Sequence, residues 1–331
     1  MSITTSMTYG EAIRCAMTDA MHADDHVILM GEDIGAAGGP FGVTSGLLAL
    51  FGNKRVFDFP VSEAALVGTA YGAALCGYKP VVEIMFMDFA TLAMDAIVNQ
   101  AAKAHFMFGG QYNVPMVVRT AHGGDIHLGA QHSQCLEAWF AHVPGLTVVC
   151  PSDAADAYDL LRAAIENPNP VIFVENKTLY NATNPARLSD ADATAELGCA
   201  RIVRNGKDVS VVTYGAGVAW AEESSVELAA DGIDIEIIDL RTIQPWDEAL
   251  VAESLRKTHR LVVCHEAVTG FGVGAEVAAR MAETCFADLR APIRRLGAAF
   301  MPVSYAPELE SRSRPNSGKL SRLIRELLNY A

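Results

Sequence analysis

The sequence predicts an α/β protein built from two doubly wound domains. Three observations carry this expectation. The chain has 331 residues, more than one ordinary core, and fits two domains of roughly 150 residues each. Short β-branched apolar runs alternate with helix-like segments. A small, polar, acidic stretch at 181–198, NATNPARLSDADATAELG, interrupts that alternation, which then resumes. In order, HVILMGED, RVFDFPV, KPVVEIMF, VPMVVRTA, LTVVCPSD and PVIFVEN read as strands of a mostly parallel sheet. GEAIRCAMTDAMHA, DFATLAMDAIVNQAAKAHFMFGG and DAADAYDLLRAAIEN read as helices between them. After the polar stretch, DVSVVTYG, IDIEIIDLRTI, HRLVVCHEA and PIRRLGA read as strands. Helices are expected near 219–231, 248–258 and 274–286, and an amphipathic helix at 317–328. The polar stretch is the expected linker. No short-period repeat or low-complexity tract is present.

Composition narrows the function classes. The formal charge of −14 repels polyanions and argues against nucleic acid or an anionic membrane as the main partner, leaving a local basic group at Arg290, Arg294 and Arg295. Hydrophobic residues reach 51%, yet no uninterrupted apolar run approaches the roughly 18 residues needed to cross a bilayer. The opening MSITTSMTYGEA carries neither an export nor an organellar pattern, so a cytoplasmic protein is expected. The seven cysteines are scattered, without CxxC or zinc spacing, and read as buried thiols in a reducing compartment; no metal ligand set is expected in this chain. Abundant small and apolar residues point to surface hidden in a subunit interface.

Several segments offer chemistry. In DFPVSEAA, Glu63 follows a proline turn at the mouth of the nearly charge-free helix GTAYGAALCG, whose Gly68 and Gly72 let another backbone approach. A carboxyl entering such a wall is suited to proton exchange, although a first-turn acid favoured by the helix dipole has the same sequence signature. GAQHSQC at 129–135 presents His132 among polar neighbours after the loop GGDIHLGA, suiting proton transfer; capping of a following helix CLEAWFAHV is the plainer alternative. His122 and His127 share that region and carry less. Met85 and Phe89 fall at the carboxyl end of a strand, where open α/β sheets bind ligands; core packing explains either one singly. TYGAGVAWAEE has Trp220 where a dinucleotide fingerprint needs a third glycine, so it reads as a tight strand-to-helix turn. GxxxxGK[ST], HExxH and GxSxG are absent.

DFPVSEAALVGTAYGAALCGYKPVVEIMFMDF, AKAHFMFGGQYNVPMVVRT, GAQHSQC, HVPGLTVVCPSDAADAYDLL, NPVIFVENKTLYN and LMGEDIG together resemble the β subunit of thiamin-diphosphate-dependent 2-oxo acid dehydrogenases. The similarity extends over essentially the whole chain. It implies transketolase-like domains, a pyrimidine-binding domain at about 1–190 and a C-terminal transketolase-like domain at 191–331, in a heterotetramer of two α and two β subunits. By this resemblance Glu63 matches the glutamate bonded to the aminopyrimidine ring of thiamin diphosphate. Phe89 matches the aromatic residue stacked on that ring, Met85 a residue lining it, and His132 an active-site histidine near the substrate and lipoyl group. The family's diphosphate–Mg²⁺ motif, GDG followed by Asn, is missing, since residues 123–125 read GGD. The resemblance therefore implies that an α subunit holds the diphosphate and Mg²⁺. AIENPNP at 164–170 resembles a loop that binds a monovalent cation such as K⁺, with Asn167 where an acid is expected. HFMFGGQ and ENKTLYN lie closer to pyruvate- and acetoin-using members than to branched-chain ones, with a lipoyl acyltransferase as acceptor. A split transketolase-like enzyme with a nonlipoyl acceptor and a noncatalytic scaffold are the other readings.

Overall fold

The computed structural model describes residues 3–188 and 195–330. In chain order the first half holds β1 (Ile3–Thr8), α1 (Tyr9–Ala23), β2 (Val27–Gly31), α2 (Leu47–Phe51), β3 (Val56–Asp58), α3 (Glu63–Leu75) and β4 (Lys79–Ile84). It continues with α4 (Ala102–Met107), β5 (Val117–His122), α5 (Glu137–Ala141), β6 (Thr147–Val149), α6 (Ala154–Glu166), β7 (Val171–Asn176) and β8 (Thr183–Leu188). The second half holds β9 (Arg201–Arg204), β10 (Val209–Thr213), α7 (Gly217–Ala229), β11 (Ile235–Asp239), β12 (Thr242–Gln244), α8 (Glu248–Thr258), β13 (Leu261–Val268), α9 (Val273–Thr284), β14 (Arg294–Ala298), α10 (Pro307–Ser313) and α11 (Ser317–Leu328).

The chain divides into two compact units. One comprises the residues up to His122 with Trp139–Leu197; the other comprises Gly123–Ala138 with Gly198–Ala331. The division differs from the expected 190/191 boundary in two ways. It falls at Leu197 and Gly198, and the segment holding His132 groups with the later residues. The expected linker is also partly a strand. Thr183–Leu188 pairs antiparallel with β1, from Thr8 opposite Thr183 to Ile3 opposite Leu188. Residues 189–194 of that linker lie outside the described residues.

In the first unit, parallel strands run in the order β6-β7-β5-β4-β2-β3. β2, β5 and β7 are buried at every position, as a parallel sheet covered on both faces requires. From β2 the chain passes outward to β3 and then returns to β4 on the other side of β2, so a topological switch lies between the carboxyl ends of β2 and β4. α1 starts with a capping box, in which the Thr8 side chain accepts from the Glu11 N–H and the Glu11 carboxylate accepts from the Thr8 N–H. Its Tyr9, Ile13, Met17 and Met21 form one buried stripe in the core that holds Tyr158, Leu161 and Ile165 of α6. The continuous helix expected over 88–110 is instead a 3₁₀ segment at Met87–Ala93, a π-helical segment at Asp95–Ala101, and α4. Asp95 ties this irregular stretch by accepting from the side-chain amides of Asn99 at 2.8 Å and Gln100 at 3.5 Å.

In the second unit a five-stranded sheet runs β14-β13-β10-β11-β9, parallel except for β9. Its core gathers Val209, Val211, Ile235, Ile237 and Val262 with Leu320, Ile324 and Leu327 of α11, which packs on α7. Gly217 opens α7 one helical step beyond β10. A Cβ there would meet Thr213 Oγ1 at 2.0 Å, which accounts for the glycine as a tight strand-to-helix turn.

Candidate functional site

At the switch point of the first unit, two chain segments meet through buried carboxyl groups. β2 ends at Gly31, and the next residue, Glu32, is 5% exposed. The segment after β3 turns through Pro60 and delivers Glu63, 6% exposed, as the first residue of α3. Glu32 Oε1 accepts from the Ser62 backbone N–H at 3.0 Å, so the two carboxyl-bearing segments are stitched together. Asp58 Oδ1 accepts from the Gly35 N–H at 2.7 Å, and a Cβ on Gly35 would fall 2.3 Å from Asp58 Oδ2, so only glycine permits this closure. Burial and then the neighbouring Glu63 charge push the Glu32 carboxyl above its ordinary range, against the Ser62 hydrogen bond. A carboxyl whose charged form is disfavoured in this way is suited to proton exchange.

Met85 and Phe89 follow β4 and are half-buried. The 3₁₀ segment that carries Phe89 packs against α3, the helix that begins with Glu63. Phe89 stands edge-on to Phe86 at 5.9 Å and 90°, Phe86 edge-on to Phe41, and Phe41 stacks on Tyr180 at 4.6 Å. Behind these rings, Arg119 joins the neighbouring strands. It binds Glu175 through Nε and Nη2 at 2.7 and 2.9 Å and Glu83 through Nη1 at 2.7 Å, while the Tyr180 hydroxyl donates to Glu175 at 2.7 Å. Burial works against the Arg119 charge, and Glu175 and Glu83 outweigh it. Burial also raises the Glu83 carboxyl against the pull of Arg119. One guanidinium thus serves two buried carboxyl groups, on three neighbouring strands.

His132 belongs to the second unit and is half-buried, its backbone N–H donating to Gly129 at 3.4 Å. α5 begins only at Glu137, shorter than the helix expected from Cys135 onward. Glu137 is fully buried and accepts from the Tyr214 hydroxyl at 2.8 Å. His122 closes β5 in the first unit, with Cys150 Sγ 3.8 Å from its Nε2. In the loop at 164–170, Asn167 Oδ1 accepts from the Asn169 N–H at 2.9 Å, and the Pro168 carbonyl accepts from Val114 at 3.0 Å. The Asn167 side chain therefore serves its own turn.

Glu63, Met85 and Phe89 lie in one unit, at the carboxyl-end side of the sheet; His132 is held within the other. Glu32 is the buried carboxyl at this place that sequence reasoning missed. Its signal was a carboxylate directly after a buried strand, in LMGEDIG, but its partnership with Glu63 depends on β2 lying between β3 and β4.

Residues 5–183 match the transketolase pyrimidine-binding domain, and residues 198–320 match the transketolase C-terminal domain. The chain is 46% identical over 311 residues to the pyruvate dehydrogenase E1 component subunit beta of Rhizobium meliloti, covering 94% of this chain and 67% of that protein. It is 43% identical over 318 residues to the mitochondrial pyruvate dehydrogenase E1 component subunit beta-2 of Oryza sativa subsp. japonica, covering 96% and 85%. Among solved structures, a split gene transketolase described as an inactive beta4 tetramer superposes with a TM-score of 0.80 at 22% identity, covering 97% of this chain and 98% of that one, a likeness of fold.

Proposed function

This chain belongs to the family of pyruvate dehydrogenase E1 component β subunits, and from that premise we propose that it works with an α subunit to decarboxylate pyruvate and pass the acyl unit to a lipoyl group. It is the β subunit of a thiamin-diphosphate-dependent 2-oxo acid dehydrogenase. The observation that supports the chemistry is the buried pair Glu32 and Glu63 at the switch between β2 and β4, with the half-buried Phe89 and Met85 on an adjoining turn. A proton-exchanging carboxyl beside a flat apolar ring and a polarizable thioether fits an aminopyrimidine, which has ring nitrogens at its edge and π faces above and below. Thiamin diphosphate, when bound, supplies the carbon nucleophile and the electron sink for decarboxylation.

The protein's part is proton management and orientation. Glu63 Oε holds or releases a proton at a ring nitrogen of the pyrimidine, and Glu32 supports it as a second carboxyl. Phe89 and Met85 fix the ring plane. His132 exchanges a proton with the acyl acceptor as the unit is transferred. The diphosphate and Mg²⁺ are assigned to the α subunit, because the GDG motif is missing from this chain. A K⁺ at 164–170 would rest on backbone oxygens, with the neutral amide of Asn167 where an acid is expected.

The decisive variant is Glu63→Gln in the assembled enzyme. Glutamine keeps the size and polarity but cannot supply the carboxyl proton, so pyruvate-dependent reduction of an artificial electron acceptor should fall by roughly a hundredfold to ten-thousandfold. Assembly should be unchanged by size-exclusion chromatography. Turnover within a few-fold of the parent enzyme would remove Glu63 from the chemistry. A parallel assay with acetoin in place of pyruvate decides the substrate.

A further inference from the structure

The segment Gly123–Ala138 has an unusual backbone and an unusual set of partners, all within the second unit. Gly123, Asp125, His127 and Gly129 alternate in the left-handed region, at φ 90°, 72°, 58° and 73°. Glycine adopts this conformation freely, whereas Asp125 and His127 carry a Cβ and need their surroundings to keep them there. The surroundings are specific to these residues. Glu310, 0% exposed, accepts from the Asp125 backbone N–H through Oε1 at 2.7 Å and pairs with His127 Nδ1 through Oε2 at 2.6 Å. Glu266 Oε1 accepts from the Gly124 N–H at 2.7 Å and from Arg314 Nε and Nη2 at 3.0 and 2.8 Å. Arg314 Nη1 closes the circuit on Asp125 Oδ1 at 2.8 Å.

We propose that Glu310, Arg314 and Glu266 form a clamp that positions the His132 loop for acyl transfer, acting as positioning residues for the reaction. The inference rests on the catalytic reading of His132 given above. The geometry fixes both sides of that histidine. Upstream, the clamp grips residues 124–127, and Gly129 lies against Tyr305, whose Cδ2 would be 3.0 Å from an added Cβ. Downstream, Glu137 is held by Tyr214. His132 sits on the span between these anchors, so a shift of residues 124–127 is passed to it along the short stretch of chain from His127. Displacement of a reacting group by about 1 Å can cost a hundredfold in rate even when its chemistry is intact. Gly124 fits the same account, because an added Cβ would press within 2.5 Å of Glu310 Oε1 and 3.1 Å of Arg314 Nε.

The test uses the enzyme assembled with its α subunit and three variants: Glu310→Gln, which keeps an acceptor but removes the charge facing His127; Arg314→Lys; and Gly124→Ala, which disturbs the clamp from the loop side without deleting a charge. Each should lower acylation of a lipoyl domain by about tenfold while changing pyruvate decarboxylation with an artificial electron acceptor by less than about twofold. Hydrogen exchange at 123–138 should rise in each. On a His132→Ala background, Glu310→Gln should add no further loss of acylation. Equal losses in both reactions, or unchanged exchange in the loop, would make the cluster a buttress and overturn the proposal. If His132→Ala itself leaves acylation intact, the reading of His132 fails and the positioning role falls with it. If His132→Ala is selective and the clamp variants are not, only the clamp is rejected.

Discussion

Arg119, on β5, is 1% exposed and carries its charge between Glu83 on β4 and Glu175 on β7. Glu83 is its direct register partner across the parallel ladder. Three ionisable side chains in one dry layer are held by mutual hydrogen bonding, and removal of one leaves the others uncompensated. Arg119→Met should therefore destabilise the chain by about 3–5 kcal/mol in denaturant unfolding. Combining it with Glu83→Gln and Glu175→Gln should recover part of that loss; a single-variant cost under about 1 kcal/mol would show that the cluster is not under this constraint. Residues of this kind are the least legible in a sequence. VPMVVRTA reads as a strand, and nothing in it tells that its arginine meets glutamates 36 positions before it and 56 after it. The burial of Glu63 at a helix start was legible because its signal is local, a proline turn followed at once by a small-residue helix. The meeting of Glu32 with that segment was not, since it depends on strand order.

At the level of elements, local pattern carried most of the reading. The strands expected in the first half are present, and the expected helices at 248–258 and 317–328 match α8 and α11 end to end. The segments that departed from expectation are those where tertiary contacts override pattern. Thr183–Leu188 looks like a linker because it holds Pro185 and polar residues, yet pairing with β1 makes it an edge strand, where proline is tolerated. The apolar run at 88–110 has helical composition, and packing of Met87–Ala93 and Asp95–Ala101 against α3 accompanies its break into 3₁₀ and π-helical turns. The end of α1 gives a pH prediction. Asp24 accepts from the His26 backbone N–H at 2.8 Å, and its side chain also meets the His26 ring and Lys79 at 2.9 and 3.2 Å. The His26 backbone bond, more than the ring or Lys79, holds its carboxyl at about 2 instead of 3.8. A folded value below the unfolded one means that the stabilisation is complete above pH 3.8 and disappears as the pH falls through about 2. The stability difference between the parent chain and Asp24→Asn should shrink over that window in denaturant titrations at stepped pH. A difference that stays constant from pH 5 to about 2 would assign the effect to packing instead.

For the whole molecule, the exposed apolar surface bears on assembly. Phe106, Met107, Phe108 and Tyr112 are 88%, 66%, 41% and 49% exposed, and an added Cβ at Gly68 or Gly72 of α3 meets nothing within 4 Å. Such surfaces fit burial against another subunit, for which an obligate interface of roughly 2,000 Å² or more is expected. The isolated chain should bind thiamin diphosphate and Mg²⁺ weakly by calorimetric titration and show no pyruvate decarboxylation. Coexpression with the α subunit should restore both, and tight Mg²⁺-dependent binding by a pure monomer would overturn the shared site. The His132 clamp has a consequence in the order of synthesis. The carboxylates that receive the Gly124 and Asp125 N–H groups come 142 and 185 residues later in the chain. At about 5–20 residues per second, a nascent chain waits roughly 7 to 37 s between making this loop and making its holders. Through that interval the Gly124 and Asp125 N–H groups are without these two carboxylates, so a chaperone or protease acting during translation would meet residues 124–125 unclamped, whereas the finished protein presents them clamped.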